Sequence, residues 1–183
     1  MIQRPGEERN LKYISRFLIE FHRKKVRIGF HVLINTLHIL ERNTSSESET
    51  LECGRIFSEL LCPGDTVALF GDVGSGKTVF VKGICKGIET EEPVNSPTFI
   101  ILNEYTGQLM GHRIKIRHFD FYRIEKQSDI NELGIDEYLN APDSITLIEW
   151  SEHILNHLRE KYWKVQIQNE GENKRKIHIE LLQ

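Results

Sequence analysis

Apolar residues recur along this chain with two different periods, and the change from one to the other marks out its elements. Leu11, Ile14, Leu18 and Phe21 fall at helical spacing, which predicts an amphipathic helix ending near the basic cluster Arg23, Lys24 and Lys25. The polar run Asn43 to Glu49 reads as a linker. Beyond it, Cys53, Ile56, Phe57, Leu60 and Leu61 line a second helical face, and Pro63-Gly64 stops that helix with a turn. The reading is therefore a basic N-terminal extension over residues 1–44 followed by a domain over residues 45–183.

Within that domain the pattern turns to short β-favouring runs. Thr66 to Phe70 is the first, and Thr78 to Ile88 then reads as a helix interrupted by Gly83 and Gly87. Further strands are expected at Phe99 to Tyr105, Ile114 to Asp120, Ile145 to Glu149, Trp163 to Ile167 and Ile177 to Leu181. Helical stretches are expected near Ile130 to Leu139 and Ser151 to Leu158. Strands alternating with helices predict a layered α/β fold. No internal repeat or long low-complexity tract interrupts it.

Composition narrows this picture in three ways. At 183 residues and 39% hydrophobic, the chain can bury a core. Its longest apolar stretch, Val26 to Leu40, is broken by Arg27, His31, Asn35 and His38 and falls short of the ~20 residues of a membrane helix. With no signal-peptide pattern in the polar Met1 to Asn10, a cytoplasmic protein is the expectation. Cys53, Cys62 and Cys85 are too few and too irregularly spaced for a disulfide framework or a zinc site, and read as reduced core residues. Charge is uneven: residues 1–42 hold 9 Lys/Arg against 4 Asp/Glu, the remainder 15 against 23. A basic front could touch nucleic acid or an acidic partner, or could be a solvated helix or extension.

The most specific chemistry lies in Gly71-Asp72-Val73-Gly74-Ser75-Gly76-Lys77-Thr78, which matches G-x-x-x-x-G-K-[ST]. Glycines let the backbone wrap a phosphate with its amides turned inward, Lys77 can reach the β- and γ-phosphates, and the Thr78 hydroxyl can ligate Mg²⁺. The expected strand before it and helix after it are the setting this loop requires, and the helix dipole favours the same negative charge. The fold class predicted is an α/β, P-loop NTPase-like three-layer sandwich with a mostly parallel central sheet.

A loop of this kind needs a carboxylate, because Mg²⁺ prefers hard oxygen ligands and the attacking water must be oriented. Asp120 and Glu149 each close an apolar strand, where ligands of open parallel sheets gather. From the residues alone either could face the metal, with the other positioning water.

Five motifs stand in order: GDVGSGKT over 71–78, Asn95-Ser96-Pro97-Thr98-Phe99, His118-Phe119-Asp120-Phe121-Tyr122-Arg123, Leu133-Gly134-Ile135 and Ile148-Glu149-Trp150. From about Glu47 to Ile154 this order resembles the TsaE (YjeE) family, bacterial ATPases needed for threonylcarbamoyladenosine in tRNA. The resemblance implies that ATP is held by Gly71, Gly74, Ser75, Gly76, Lys77, Thr78 and Val79, and that Thr78 and Glu149 bind Mg²⁺. It also implies that Asp120 serves hydrolysis, that Ser96-Pro97-Thr98 acts as a switch near the γ-phosphate with Thr98 at the nucleotide, and that Trp150 lies close enough to report binding. Lys77, Asp120 and Glu149 are then the catalytic set. Partners implied are the TsaD–TsaB pair, which modifies ANN-decoding tRNAs next to the anticodon; hydrolysis would reset that complex, tRNA being met only through it. Ser75 stands where many members carry alanine, and residues 1–44 have no counterpart in compact members, being either a genuine extension or the product of a start site set too far upstream.

Other signals are weaker. His153 and His157 share a helical face without a third ligand. Arg123 could be a cis arginine finger or a structural ion-pair partner, and His118 reads as a hydrogen-bonded core histidine. Either Lys174 or Arg175 could reach phosphate from the last hairpin. A small-molecule kinase is the main rival, although no arginine-rich lid is evident. A guanine-nucleotide switch lacks its N-K-x-D and D-x-x-G motifs, Asn173-Lys174 being followed by Arg175.

Overall fold

The computed structural model describes residues 39–95, 101–124, 127–139, 141–158 and 161–182. The helix expected over Leu11 to Phe21 and the segment Ser96 to Phe99, Thr98 included, lie outside the described residues. Among the described residues seven strands, β1 (Ile39–Thr44), β2 (Thr66–Phe70), β3 (Leu102–Leu109), β4 (His112–Asp120), β5 (Ser144–Glu149), β6 (Tyr162–Asn169) and β7 (Arg175–Leu182), form one sheet in the order β1-β7-β6-β2-β5-β4-β3. The pairs β6–β2, β2–β5 and β5–β4 are parallel, and antiparallel pairs flank them on both sides. Only β3 and β7 run against the other five strands, so the sheet is mostly parallel in direction.

Helices cover both faces, completing the predicted three layers. On one face α1 (Glu47–Ser58) and α2 (Lys77–Gly87) close a core around Phe57, Phe80, Leu69, Leu147 and Val165. On the other, α3 (Gln127–Glu132) and two 3-10 turns, Ile135–Glu137 and Ser151–Ile154, surround Phe119, Phe121, Ile130 and Ile148. Strand β5 is buried throughout its length because it serves both cores, which is why it reads as a continuous run rather than an alternating one. In β6 and β7 the alternation survives, with Trp163, Val165, Ile167, Ile177, Ile179 and Leu181 turned to the first core.

Several elements differ from their sequence reading. The sheet starts before residue 45, since β1 pairs with β7 along its whole length from Ile39 to Thr44. The polar run taken for a linker is instead the end of that strand and a helix cap: Ser46 accepts a 3.1 Å bond from the Glu49 amide, and Glu49 in turn accepts from the Ser45 amide at 2.8 Å. Gly134, at φ 61°, ends the helix expected over Ile130 to Leu139 after Glu132, and where Ser151 to Leu158 read as helical only a short 3-10 turn forms, entered from Trp150, which is also at φ 61°. Strand β3 runs on past Tyr105 to Leu109, ending in a left-handed Met110-Gly111 turn.

The glycines of α2 do not interrupt it. Placing a methyl group at Gly83 would overlap the Leu51 carbonyl oxygen, one at Gly87 would overlap Ser58 Oγ, and one at Gly54 the Phe80 carbonyl. The two helices thus touch backbone to backbone, and α2 is set in depth against α1. Of the cysteines, Cys53 and Cys85 are buried, and burial pushes their thiols up to about 11 and about 12 respectively; Cys62 is half-buried. Among the described residues no helix is long and apolar enough to cross a membrane.

Helix propensity alone would have Gly83→Ala stabilise α2 by about 1 kcal/mol. The overlap with Leu51 reverses the sign, and a net loss of roughly 1–3 kcal/mol is expected in urea unfolding. An unchanged or raised midpoint would show that α1 can move away at no cost.

Candidate functional site

Strands β2, β4 and β5 are parallel neighbours, so their carboxyl ends open on one edge of the sheet. Phe70 ends β2 and leads into the loop 71–76, while the register sets Glu149 beside both Leu69 and Asp120. From β2 the chain goes on to β3 at one edge of the sheet, and from β5 it crosses back past β2 to β6, so the strand order reverses at β2, the switch point where open α/β sheets form crevices. The loop has three glycines at positive φ: Gly71 at 138°, Gly74 at 75° and Gly76 at 105°. Gly71 has no room for a side chain, because a methyl there would overlap the Ile167 carbonyl of β6. Gly76 caps α2 without a side-chain acceptor, leaving the helix's first amides at the cavity.

Two side chains from the start of α2 carry the chemistry. The Thr78 hydroxyl donates to Glu149 Oε2 at 2.9 Å. Glu149 is only 2% exposed, and its other oxygen, Oε1, lies 3.0 Å from His118 Nε2. Lys77 folds back on the loop. Its ammonium donates to the Gly71 carbonyl and, at 2.9 Å, to that of Asp72, and it sits 3.8 Å from the centre of the Trp150 ring. Burial lowers the Lys77 pKa below the ordinary lysine value, against the opposing pull of Glu149, Glu152, Asp120 and Asp72. A largely buried ammonium that bonds to carbonyls and an aromatic face, and to no carboxylate among the described residues, is a cation set for an incoming anion.

These groups line a cavity of about 430 Å³ together with Val73, Gly74, Gly76, Val79, Asp120, Trp150, Tyr122, Glu47 and Arg175. Asp120 Oδ1 accepts a 3.0 Å bond from the Tyr122 amide. The Tyr122 ring packs on that of Trp150 at 4.9 Å. Trp150 is held in the left-handed region, unusual for a bulky residue and costing about 1–3 kcal/mol, and this conformation carries its indole over Lys77. Hard oxygens of one hydroxyl and two carboxylates, beside an amide-lined loop, fit a hard divalent cation and a phosphate chain.

Of the residues singled out in the sequence, Gly74, Gly76, Lys77, Thr78, Val79, Asp120, Glu149 and Trp150 come together on this wall. Gly71 and Ser75 shape the loop without lining the cavity, Ser75 being fully buried. Of Lys174 and Arg175, it is Arg175 that reaches the loop, donating from Nε to the Ser75 carbonyl at 3.0 Å. Arg123 is exposed and off the wall, and His157 pairs with Asp136 at 3.0 Å. Sequence reasoning missed Tyr122 and Glu47 as cavity residues, and it gave His118 no part in the site. The alternation of β4 was the available signal for His118, since it shares a strand face with Asp120.

Comparison with known proteins finds relatives over most of the chain. Residues 44–177 match the family model described as threonylcarbamoyl adenosine biosynthesis protein TsaE. A Bacillus subtilis protein named tRNA threonylcarbamoyladenosine biosynthesis protein TsaE is 34% identical over 75% of this chain and 83% of its own length. A Rickettsia typhi protein of the same name is 42% identical over 62% of this chain and 75% of its own. Among solved structures, the crystal structure of Bacillus subtilis YdiB superposes with a TM-score of 0.64 at 27% identity, covering 81% of this chain and 89% of that one.

Lys77 gives a pH signature to the free protein. Its folded pKa lies below the unfolded value near 10.5, so between the two the unfolded chain binds the extra proton and stability rises with pH. Urea unfolding across the alkaline range should show this rise in the wild type, and Lys77→Met should lack that component. Parallel curves for the two proteins would mean that burial does not perturb Lys77.

Proposed function

The chain belongs to the TsaE family of threonylcarbamoyl adenosine biosynthesis proteins, and from that premise we propose that it is a cytoplasmic, Mg²⁺-dependent ATPase acting with a TsaD–TsaB transferase pair in tRNA modification. The observation that carries this reading is the Thr78–Glu149 bond, which joins the glycine-rich loop to a strand-end carboxylate 71 residues away. That is the arrangement in which a hydroxyl oriented by a carboxylate offers its remaining lone pair to a metal.

Bound Mg-ATP supplies the reactive γ-phosphoryl group and the charge that neutralises it. The loop amides and the α2 N-terminus hold the phosphate chain, Thr78 and Glu149 hold the metal, and Lys77 leaves the Gly71 and Asp72 carbonyls for the β- and γ-phosphates. Asp120, beside Glu149 in the register, orients the attacking water. That water's oxygen bonds to the γ-phosphorus as the bond to the bridging oxygen breaks, giving ADP and phosphate with release of a proton. Trp150, in contact with both Lys77 and Tyr122, senses the nucleotide.

ATP hydrolysis by wild type and Glu149→Ala, alone and with the TsaD–TsaB pair, tests the proposal. Turnover that depends on the partners and falls at least ~100-fold in the variant is expected. Phosphorylation of a metabolite in place of phosphate release would instead identify a small-molecule kinase, and GTP competing equally with ATP would rule out adenine selectivity.

A further inference from the structure

Buried polar side chains ordinarily satisfy all their hydrogen-bonding atoms, and His118 does not. It is 0% exposed, on the face of β4 that lies under α2, between Asn103 of β3 and Leu147 of β5 in the register. One ring nitrogen, Nε2, is 3.0 Å from Glu149 Oε1. The other, Nδ1, is buried with no hydrogen-bond partner among the described residues. Its ring lies 6.5 Å, centroid to centroid, from that of Tyr105. Its one hydrogen bond among the described residues is therefore made to Glu149. A histidine kept only for packing would be expected to satisfy both nitrogens or to be replaced by an apolar residue of similar size.

What it does there follows from the torsions of glutamate. The terminal χ3 rotation of a Glu side chain is soft, so a carboxylate tied at one oxygen can swing about that tie. Glu149 is tied at two: Thr78 holds Oε2 and His118 holds Oε1. A carboxylate only accepts, so Nε2–H is the donor. With both oxygens anchored, the carboxylate plane and its remaining lone pairs have one orientation toward the cavity, before any cation arrives.

We propose that His118 is a positioning residue: through its Nε2–H bond to Oε1 it sets the Glu149 carboxylate in the orientation that accepts a divalent cation alongside Thr78. This rests on the nucleotide-and-metal reading of the site. Partners of this kind behind a metal ligand typically contribute about 10–100-fold to metal affinity.

Calorimetric titration of ADP, at a series of Mg²⁺ concentrations and in EDTA, into wild type, His118→Phe and His118→Gln separates positioning from packing. In His118→Phe the Mg²⁺ concentration that tightens ADP should rise about tenfold, with the EDTA affinity nearly unchanged; His118→Gln, which restores an N–H donor, should recover most of the loss. Equal weakening with and without Mg²⁺, no change in either, or a Gln variant no better than Phe would overturn the proposal. Nitrogen-15 NMR of the wild-type imidazole in the metal-free protein gives a check independent of any variant's folding: Nε2 protonation is expected, and an Nδ1-protonated tautomer would overturn it. A wild-type protein that binds ADP in neither condition would overturn the nucleotide reading itself and the proposal with it, an outcome distinct from binding that ignores His118.

Discussion

The bond between the Thr78 hydroxyl and Glu149 Oε2 spans the gap between the first turn of α2 and the end of β5, and the surrounding structure is arranged to hold both of its ends still. On the strand side, Glu149 is at the edge of the most deeply buried strand, paired with β2 through Leu69 and with β4 through Asp120. On the helix side, Thr78 is the second residue of α2, after a loop whose three positive-φ glycines bring the chain from β2 into that helix in six residues. A shift of either end by an ångström would break a hydrogen bond, because such bonds weaken steeply beyond about 3.2 Å.

Depth is controlled from behind. Gly54, Gly83 and Gly87 allow α1 and α2 to meet backbone to backbone, so that the position of α2 over the sheet follows from main-chain contact rather than from adaptable side chains. The cap on α1 and the pairing of β1 with β7 secure that second helix in its turn. Arg175, at the start of β7, then reaches across to the Ser75 carbonyl and ties the far hairpin to the same loop. Contacts well away from the cavity in sequence thus converge on the geometry of a few atoms within it.

The electrostatics of the site are those of a place prepared for opposite charges. Lys77 is desolvated and held by carbonyls and the Trp150 face, a weaker environment for an ammonium than a carboxylate would be, so an entering anion can draw it away from them. The carboxylates of Asp120 and Glu149 line the same cavity, where they suit a cation. The left-handed Trp150 belongs to the same economy: backbone strain is retained where it places an aromatic ring over the charged group.

Much of this was legible in the chain. The glycine-rich loop is a local feature whose chemistry follows from residue type and spacing, and the alternation of apolar runs was enough to place β2, β4, β5, β6 and β7 and to give the α/β class. Asp120 and Glu149 could be named because each closes such a run. What the sequence could not supply were the pairings. That β1 belongs to the sheet depends on β7, some 130 residues later in the chain, and its polar residues resemble a linker because an edge strand and a helix cap use the same residue types. Gly83 and Gly87 read as helix breakers, since only the presence of α1 against them explains why no side chain fits. His118 read as a core histidine, and so it is; but its partner is 31 residues away on the neighbouring strand, and only the parallel register of β4 and β5 makes a buried ring part of the site. Local chemistry is set by neighbours in sequence, whereas tertiary contact decides which of those chemistries meet.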